Sequence, residues 1–253
     1  GSLTVLHDGV RTTGTVGSGN SLVGSVSGDA VGDGLIQIGS SPIWALKSSS
    51  LNGGAGAVTW VDRTTTPTGP VDSSNSLVGA AVGDLDAAGA QFNQLGGDNY
   101  LLFSEHGGAG AVTFINPANL PVGAINSGNS LVGSLATDRI GHNVNGGSSN
   151  FDFVGGKFAI YSPAWNNSAG AVTFGDVATG LTPGVVSAGN SLVGAASGDL
   201  VGASRIIDTG FGFALLRSDN GGAGAITVID VASPLTGTVS ASNSLVGGSP
   251  SDA

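Results

Sequence analysis

The string NSLVG occurs five times in this chain, beginning at Asn20, Asn75, Asn129, Asn190 and Asn243, with spacings of 55, 54, 61 and 53 residues. Self-similarity at a near-fixed period constrains the fold more than any local signal. Each unit must then be one supersecondary element that buries its apolar face by stacking on its neighbours. Two further strings keep step. AGA(V/I)T runs over Ala55–Thr59, Ala109–Thr113, Ala169–Thr173 and Ala223–Thr227, with a degenerate copy in Leu3-Thr4-Val5-Leu6. An aspartate, Asp29, Asp84, Asp138 or Asp199, follows each of the first four NSLVG copies at a near-constant distance. The repeat domain is therefore read as residues 3–253. Its units cover about 20–74, 75–128, 129–189 and 190–242, with partial units at both ends.

Within a unit the apolar stretches are short and bounded by Gly, Asn, Ser or Pro, which predicts strands. In the first unit they are a (21–25), b (35–38), c (43–47) and d (57–61). The asparagine-glycine pairs Asn52-Gly53, Asn145-Gly146 and Asn220-Gly221 suit turns with two positive φ angles. Composition agrees. The 253 residues include 46 Gly but one Glu (Glu105), two Lys (Lys47, Lys157) and no Met, so the straight-chain helix formers are nearly absent. About 55 residues and four strands per unit predict an all-β repeat protein, a β-propeller of four or five four-stranded blades. An open β-solenoid or stacked-sheet array is the alternative, because the chain runs d, four abcd units, then a. Leu22, Leu77, Leu131, Leu192 and Leu245 are expected in matching buried positions, with the terminal Leu245 contributing less because its unit is incomplete. Trp60, Phe114, Phe174 and Val228 align with one another as core.

The unit from Asn20 to Asp62 resembles the FG-GAP repeat of integrin-type propellers. The matching pieces are Gly28-Asp29, Gly32-Asp33-Gly34, Ser162-Pro163-Ala164 and the four AGA(V/I)T strings. The array over residues 3–248 is more closely similar to repeats of large filamentous-haemagglutinin-like bacterial exoproteins and adhesins. That resemblance implies an exported, extracellular or cell-surface origin. Gly1-Ser2 reads as a cloning scar, and the first residue, not being Met, suggests an excised fragment.

The integrin-type resemblance also implies calcium in the aspartate loops, with Asp29 and Asp33, Asp84 and Asp86, Asp138 with Asn143 and Asn145, and Asp199 as weak candidate ligands. Calcium asks for six to eight oxygens, and no loop carries the full set. The aspartate recurs even where its partners are gone. This favours an Asx-type role within its own turn, and no required cofactor. The NSLVG asparagines are likewise read as turn caps.

Charge excludes other classes. With 17 acidic against 7 basic residues, the net charge of −10 offers no basic face for nucleic acid. No run of 18 apolar residues predicts a membrane-spanning helix. The chain has no Cys, so no disulfide or thiolate site can form. His7, His106 and His142 form no metal-spacing pair, and Glu105-His106 sit in a turn matched to Ser48-Ser49 and Ser218-Asp219. The GGAGA strings precede strands and are not phosphate loops. No catalytic residue is assigned. The expected function is a structural or display module of a bacterial surface or secreted adhesin-like protein. Its partners would be neighbouring repeats, other copies of the chain, a glycan or a host surface protein. A carbohydrate- or protein-binding propeller is the alternative.

Overall fold

The structure, a computed structural model, describes residues 1–6, 13–86, 89–142 and 150–250. His7, Asn143 and the Asn145-Gly146 pair lie outside the described residues.

Each repeat contributes the expected strands. In the first they are a (Leu22–Val23), b (Gly34–Gln37), c (Ile43–Ser48) and d (Ala57–Asp62). A fifth strand, e (Gly69–Pro70), follows d and was not anticipated from the sequence. The c and d strands are rich in β-branched and aromatic residues, and they pair antiparallel over six residues, from Ile43↔Asp62 to Ser48↔Ala57. The turn joining them has the predicted left-handed pair, Asn52 (φ 52°) and Gly53 (φ 68°), and likewise Asn220 (φ 49°) and Gly221 (φ 66°). The same conformation recurs at His106-Gly107 and Asn166-Asn167. The short helical turns at Leu51–Gly54 and Trp165–Ser168 contain these left-handed residues and are turns of the c–d connection. Asn and His tolerate this region better than most side chains. His106 therefore aligns with Asn52, Asn166 and Asn220, which corrects its expected match to Ser49 and Asp219.

The strands form five small sheets, each built from more than one repeat. Strand d pairs antiparallel with strand a of the next repeat, as in Ala57↔Val78 and Val58↔Leu77. That a strand is then flanked, in parallel, by the e strand closing its own repeat, as in Leu77↔Gly123. A complete sheet has the order b-c-d-a-e. The initial Ser2–Leu3 acts as a d strand, pairing Ser2↔Val23 and Leu3↔Leu22. Ser2 is thus part of the first sheet.

The chain divides into two compact units, 1–107 with 113–129, and 108–112 with 130–253; the division passes through the d strand Ala111–Ile115. In the first unit, Leu3, Leu22 and Val71 share a core with Leu46, Ala57 and Val61 of the following sheet. In the second, Val172 and Leu192 share a core with Leu216, Ala225, Ile229 and Val239. Both faces of an interior d strand are covered in this way, which explains their near-continuous apolar runs.

The last sheet departs from this pattern. Leu22, Leu77, Leu131 and Leu192 are buried as expected, whereas Leu245 is 77% exposed. Its neighbours Ile226 and Val228, equivalent to Val172 and Phe174, are 46% and 54% exposed. Among the described residues no further sheet covers this one as the interior sheets are covered.

Leu77→Ala should lower the unfolding free energy by about 2–5 kcal/mol, the usual cost of a buried leucine. Leu245→Ala should change it by less than about 0.5 kcal/mol. Urea denaturation of the two variants side by side checks this, and equal losses would contradict the burial pattern.

Candidate functional site

The three recurring motifs meet at one corner in the second, third and fourth repeats. In NSLVG of the second repeat, Gly79 lies against the first Ala of AGAVT and the loop aspartate. A Cβ at Gly79 would come within 2.1 Å of the Ala55 carbonyl oxygen and 2.9 Å of the Asp84 Cβ. Gly133 meets Ala109 and Asp138, and Gly194 meets Ala169 and Asp199, at similar distances. Backbone bonds close the corner: Gly79 N–H donates to Gly56 O at 2.9 Å, and Leu85 N–H to Ala55 O at 3.0 Å. The motifs recur together because they touch.

The aspartate holds two loops to this corner. Asp84 is fully buried, and its Oδ2 accepts the N–H groups of Ala80 and Ala81, both at 2.8 Å. Its Oδ1 accepts the Gly107 N–H at 2.6 Å, from the left-handed c–d turn. Asp29 repeats the arrangement with Ser25, Val26 and Asn52, and Asp138 with Ser134, Leu135 and Asn166. In the fourth repeat, Asp199 Oδ2 accepts from Ala195 and Ala196, while its backbone oxygen takes the Asp219 N–H at 2.9 Å. N–H donors to a carboxylate are strong bonds, and they point positive dipoles at the position a cation would occupy. The other two candidates are also engaged: Asp33 Oδ2 accepts the Ser49 N–H at 2.7 Å, and Asp86 Oδ1 the Gly89 N–H. Among the described residues, no three His, Asp or Glu side chains gather into a metal-binding group.

The NSLVG asparagines are as uniform. Each Oδ1 accepts the N–H three residues back, from Gly17, Asp72, Asn126, Ser187 and Ser240. Each Nδ2 donates to the carbonyl five residues back, in the e-type segment: Thr15, Pro70, Ala124, Val185 and Thr238. The following serine donates its hydroxyl to the Asn Oδ1, as Ser76 does at 2.7 Å. It also pairs with a threonine across the sheet, in Thr4–Ser21, Thr59–Ser76, Thr173–Ser191 and Thr227–Ser244 at 2.6–2.7 Å. With the serine proton committed to the asparagine, the threonine is the donor in this pair. The recurrence of AGA(V/I)T and NSLVG together in each unit was the available signal for this contact.

Other polar groups depart from the repeat. Tyr161 donates to Asp152 at 3.1 Å and accepts the Ile206 N–H at 3.0 Å; burial pushes its hydroxyl well above the ordinary tyrosine range, so it stays protonated. His106 Nδ1 lies 3.9 Å from Asp84 Oδ2, and His142 is buried. A groove of about 260 Å³ is lined by Phe174, Asn190 and the Lys157–Asp176 ion pair (2.9 Å). The lysine holds the Asp176 carboxyl down to about 2. Trp60 spends its indole N–H on the Pro121 carbonyl at 2.7 Å, so its polar edge is used within the repeat array.

A family profile described as a repeat of unknown function (DUF5650) matches the chain in five stretches, 1–33, 38–87, 98–142, 154–203 and 217–253. No curated protein matches it. The second, third and fourth stretches each contain the AGA alanine, the NSLVG glycine and the aspartate of one corner, so the family unit spans the contact just described.

Asp84→Ala should destabilise the fold by about 3–5 kcal/mol, because it strands three backbone N–H groups at a buried site. Asp33→Ala, at an exposed position with one such bond, should cost at most about 1 kcal/mol. Denaturant melts of both variants in calcium-free buffer test the assignment; similar losses would argue against it.

Proposed function

The chain belongs to the DUF5650 repeat family, and on that premise we propose that it is a structural repeat module, a spacer or display scaffold of an exported bacterial adhesin-like protein. It carries out no catalysis and needs no cofactor. One observation carries this reading: the recurring polar side chains are spent on internal bonds, the asparagine identically in all five copies, the Thr–Ser pair in four, and the aspartate Oδ2 on its own loop in four. A repeated ligand site would instead present equivalent polar groups to solvent.

An extracellular or cell-surface location is part of this proposal and rests on the resemblance to exoprotein repeats. No helix among the described residues is long and apolar enough to cross a membrane. Four antiparallel strands b, c, d and a per full sheet match a propeller blade, and this supports the blade reading. The exposed apolar faces on the first and last sheets favour the open stacked array.

The alternative is a glycan- or protein-binding module, and the groove beside Phe174 is where a sugar would find an aromatic face and polar neighbours. A glycan array probed with the purified chain should show no specific binding. Reproducible hits lost in Phe174→Ala would establish the binding reading instead. Thermal melts in chelator and in millimolar calcium should agree within about two degrees. A ligand bound only by the folded state would raise the melting temperature by mass action.

A further inference from the structure

The first and last repeats expose the two halves of a junction that the interior of the chain builds repeatedly. In the second unit, the outer face of one sheet, with Val172, Leu192 and the Val239 that follows its e strand, packs on the inner face of the next, with Leu216 and Ile229. Counting from the aligned motifs, Ile226 and Leu245 are the equivalents of Val172 and Leu192 on the last sheet. Leu6 and Val16 are the equivalents of Ile229 and Val239 at the start of the chain. Ile229 and Val239 are buried, whereas Leu6 and Val16 are 69% and 56% exposed.

Strand pairing is divided in the same way. In the other sheets an a strand accepts an e strand in parallel: Gly69 N–H donates to Ser21 O and Val71 N–H to Val23 O, and Gly237 and Val239 do the same to Ser191 and Val193. The a strand Leu245–Val246 pairs only with Ala225–Ile226, so among the described residues its second edge carries no strand. An open groove of about 480 Å³ lies there, lined by Arg217, Ile226, Leu245 and Val246. At the other end, Gly14-Thr15-Val16 already has the e conformation. Gly14 has φ 109° beside 110° at Gly69 and Gly237, and the Thr15 carbonyl accepts the Asn20 side chain as its counterparts do. Among the described residues it lies against no a strand.

We propose that a second copy of this chain docks head to tail. Its Gly14–Val16 segment adds in parallel to Leu245–Val246, and its Leu6 and Val16 cover Ile226, Val228 and Leu245. The register follows the interior pairs, with Gly14 N–H donating to Ser244 O and Val16 N–H to Val246 O. The contact is heterologous, so it propagates into open chains unless rotation closes it. This deepens the structural-module reading and rests on it, naming the partner as the same repeat surface.

Sedimentation velocity of the full chain over a hundredfold concentration range tests the proposal, using Val16→Asp and Leu245→Asp. Both sites are exposed, so both variants should retain the circular dichroism spectrum of the parent, and its melting temperature at the dilution where the parent is monomeric. The parent should form oligomers that grow with concentration. Each variant alone should be shifted to monomer at concentrations at least tenfold above those where the parent associates. An equimolar mixture should reach a dimer and stop, because only one intact head and one intact tail remain. A parent that stays monomeric throughout would overturn the proposal. So would association blocked by Leu245→Asp but not by Val16→Asp, which would mean a symmetric tail-to-tail pair. A glycan-array hit would sink the module reading without changing the sedimentation result, so the two failures are distinguishable.

Discussion

The buried aspartates Asp29, Asp84 and Asp138 are held by N–H dipoles from two loops at once. A carboxyl group buried in a protein is costly unless its oxygens are bonded, so the loops must close around it. The loop after strand a wraps Oδ2, and the left-handed c–d turn presents its N–H to Oδ1. That closure brings the NSLVG glycine onto the AGA alanine, where no Cβ fits. It also sets the b-c-d hairpins at the end of the a strand. The sheets are short, in places two residues of pairing, and ladder bonds alone would fix their register weakly. The corner and the Asn–Ser–Thr bonds fix it instead.

The same constraint explains why so glycine-rich a chain can be ordered. Glycine loses more backbone entropy on folding than any other residue, and few long side chains are available here to offset that by burial. Polar side chains bonded to backbone supply part of the specificity that a large core would give elsewhere. The interior apolar residues are small, and each sheet depends on the next one to cover its outer face. The exposure of Ile226, Val228 and Leu245 at the last sheet is the direct result.

Much of this was legible in the sequence. The period located the repeats, and strands b, c and d lie within a residue or so of their expected bounds. The degenerate Leu3-Thr4 copy takes the d position, with Thr4 bonded to Ser21 as Thr59 is to Ser76. The Asx reading of the aspartates and the capping reading of the asparagines agree with the bonds they make. The e strand was missed because it is two residues long and marked only by a Gly-X-Val or Gly-X-Ile pattern, as in Gly69-Pro70-Val71. Its pairing partner lies about 47 residues back, at Leu22, beyond what local periodicity can reveal. Leu245 shares its motif with the buried copies but not their burial, and the incomplete unit around it was the signal for that difference: burial depends on what stacks above it, which the motif does not encode. The c–d loop is two residues shorter in the second and fourth repeats than in the first and third, so His106 meets Asn52 and Asn166 only when counted back from the d strand, and its match to Asp219 was a one-residue slip.

The parallel a–e pair has a mechanical meaning. In Leu22↔Gly69 and Leu192↔Gly237 the two strands run the same way and enclose a whole repeat between them. Tension on the chain pulls the a strand from its N-terminal side and the e strand from its C-terminal side, so the pair is loaded in shear and its bonds share the force together. The antiparallel d–a pairs, loaded the same way, would open one bond at a time like a zip. A stretched array of these repeats therefore meets its resistance at the shortest and least conspicuous strands in the fold.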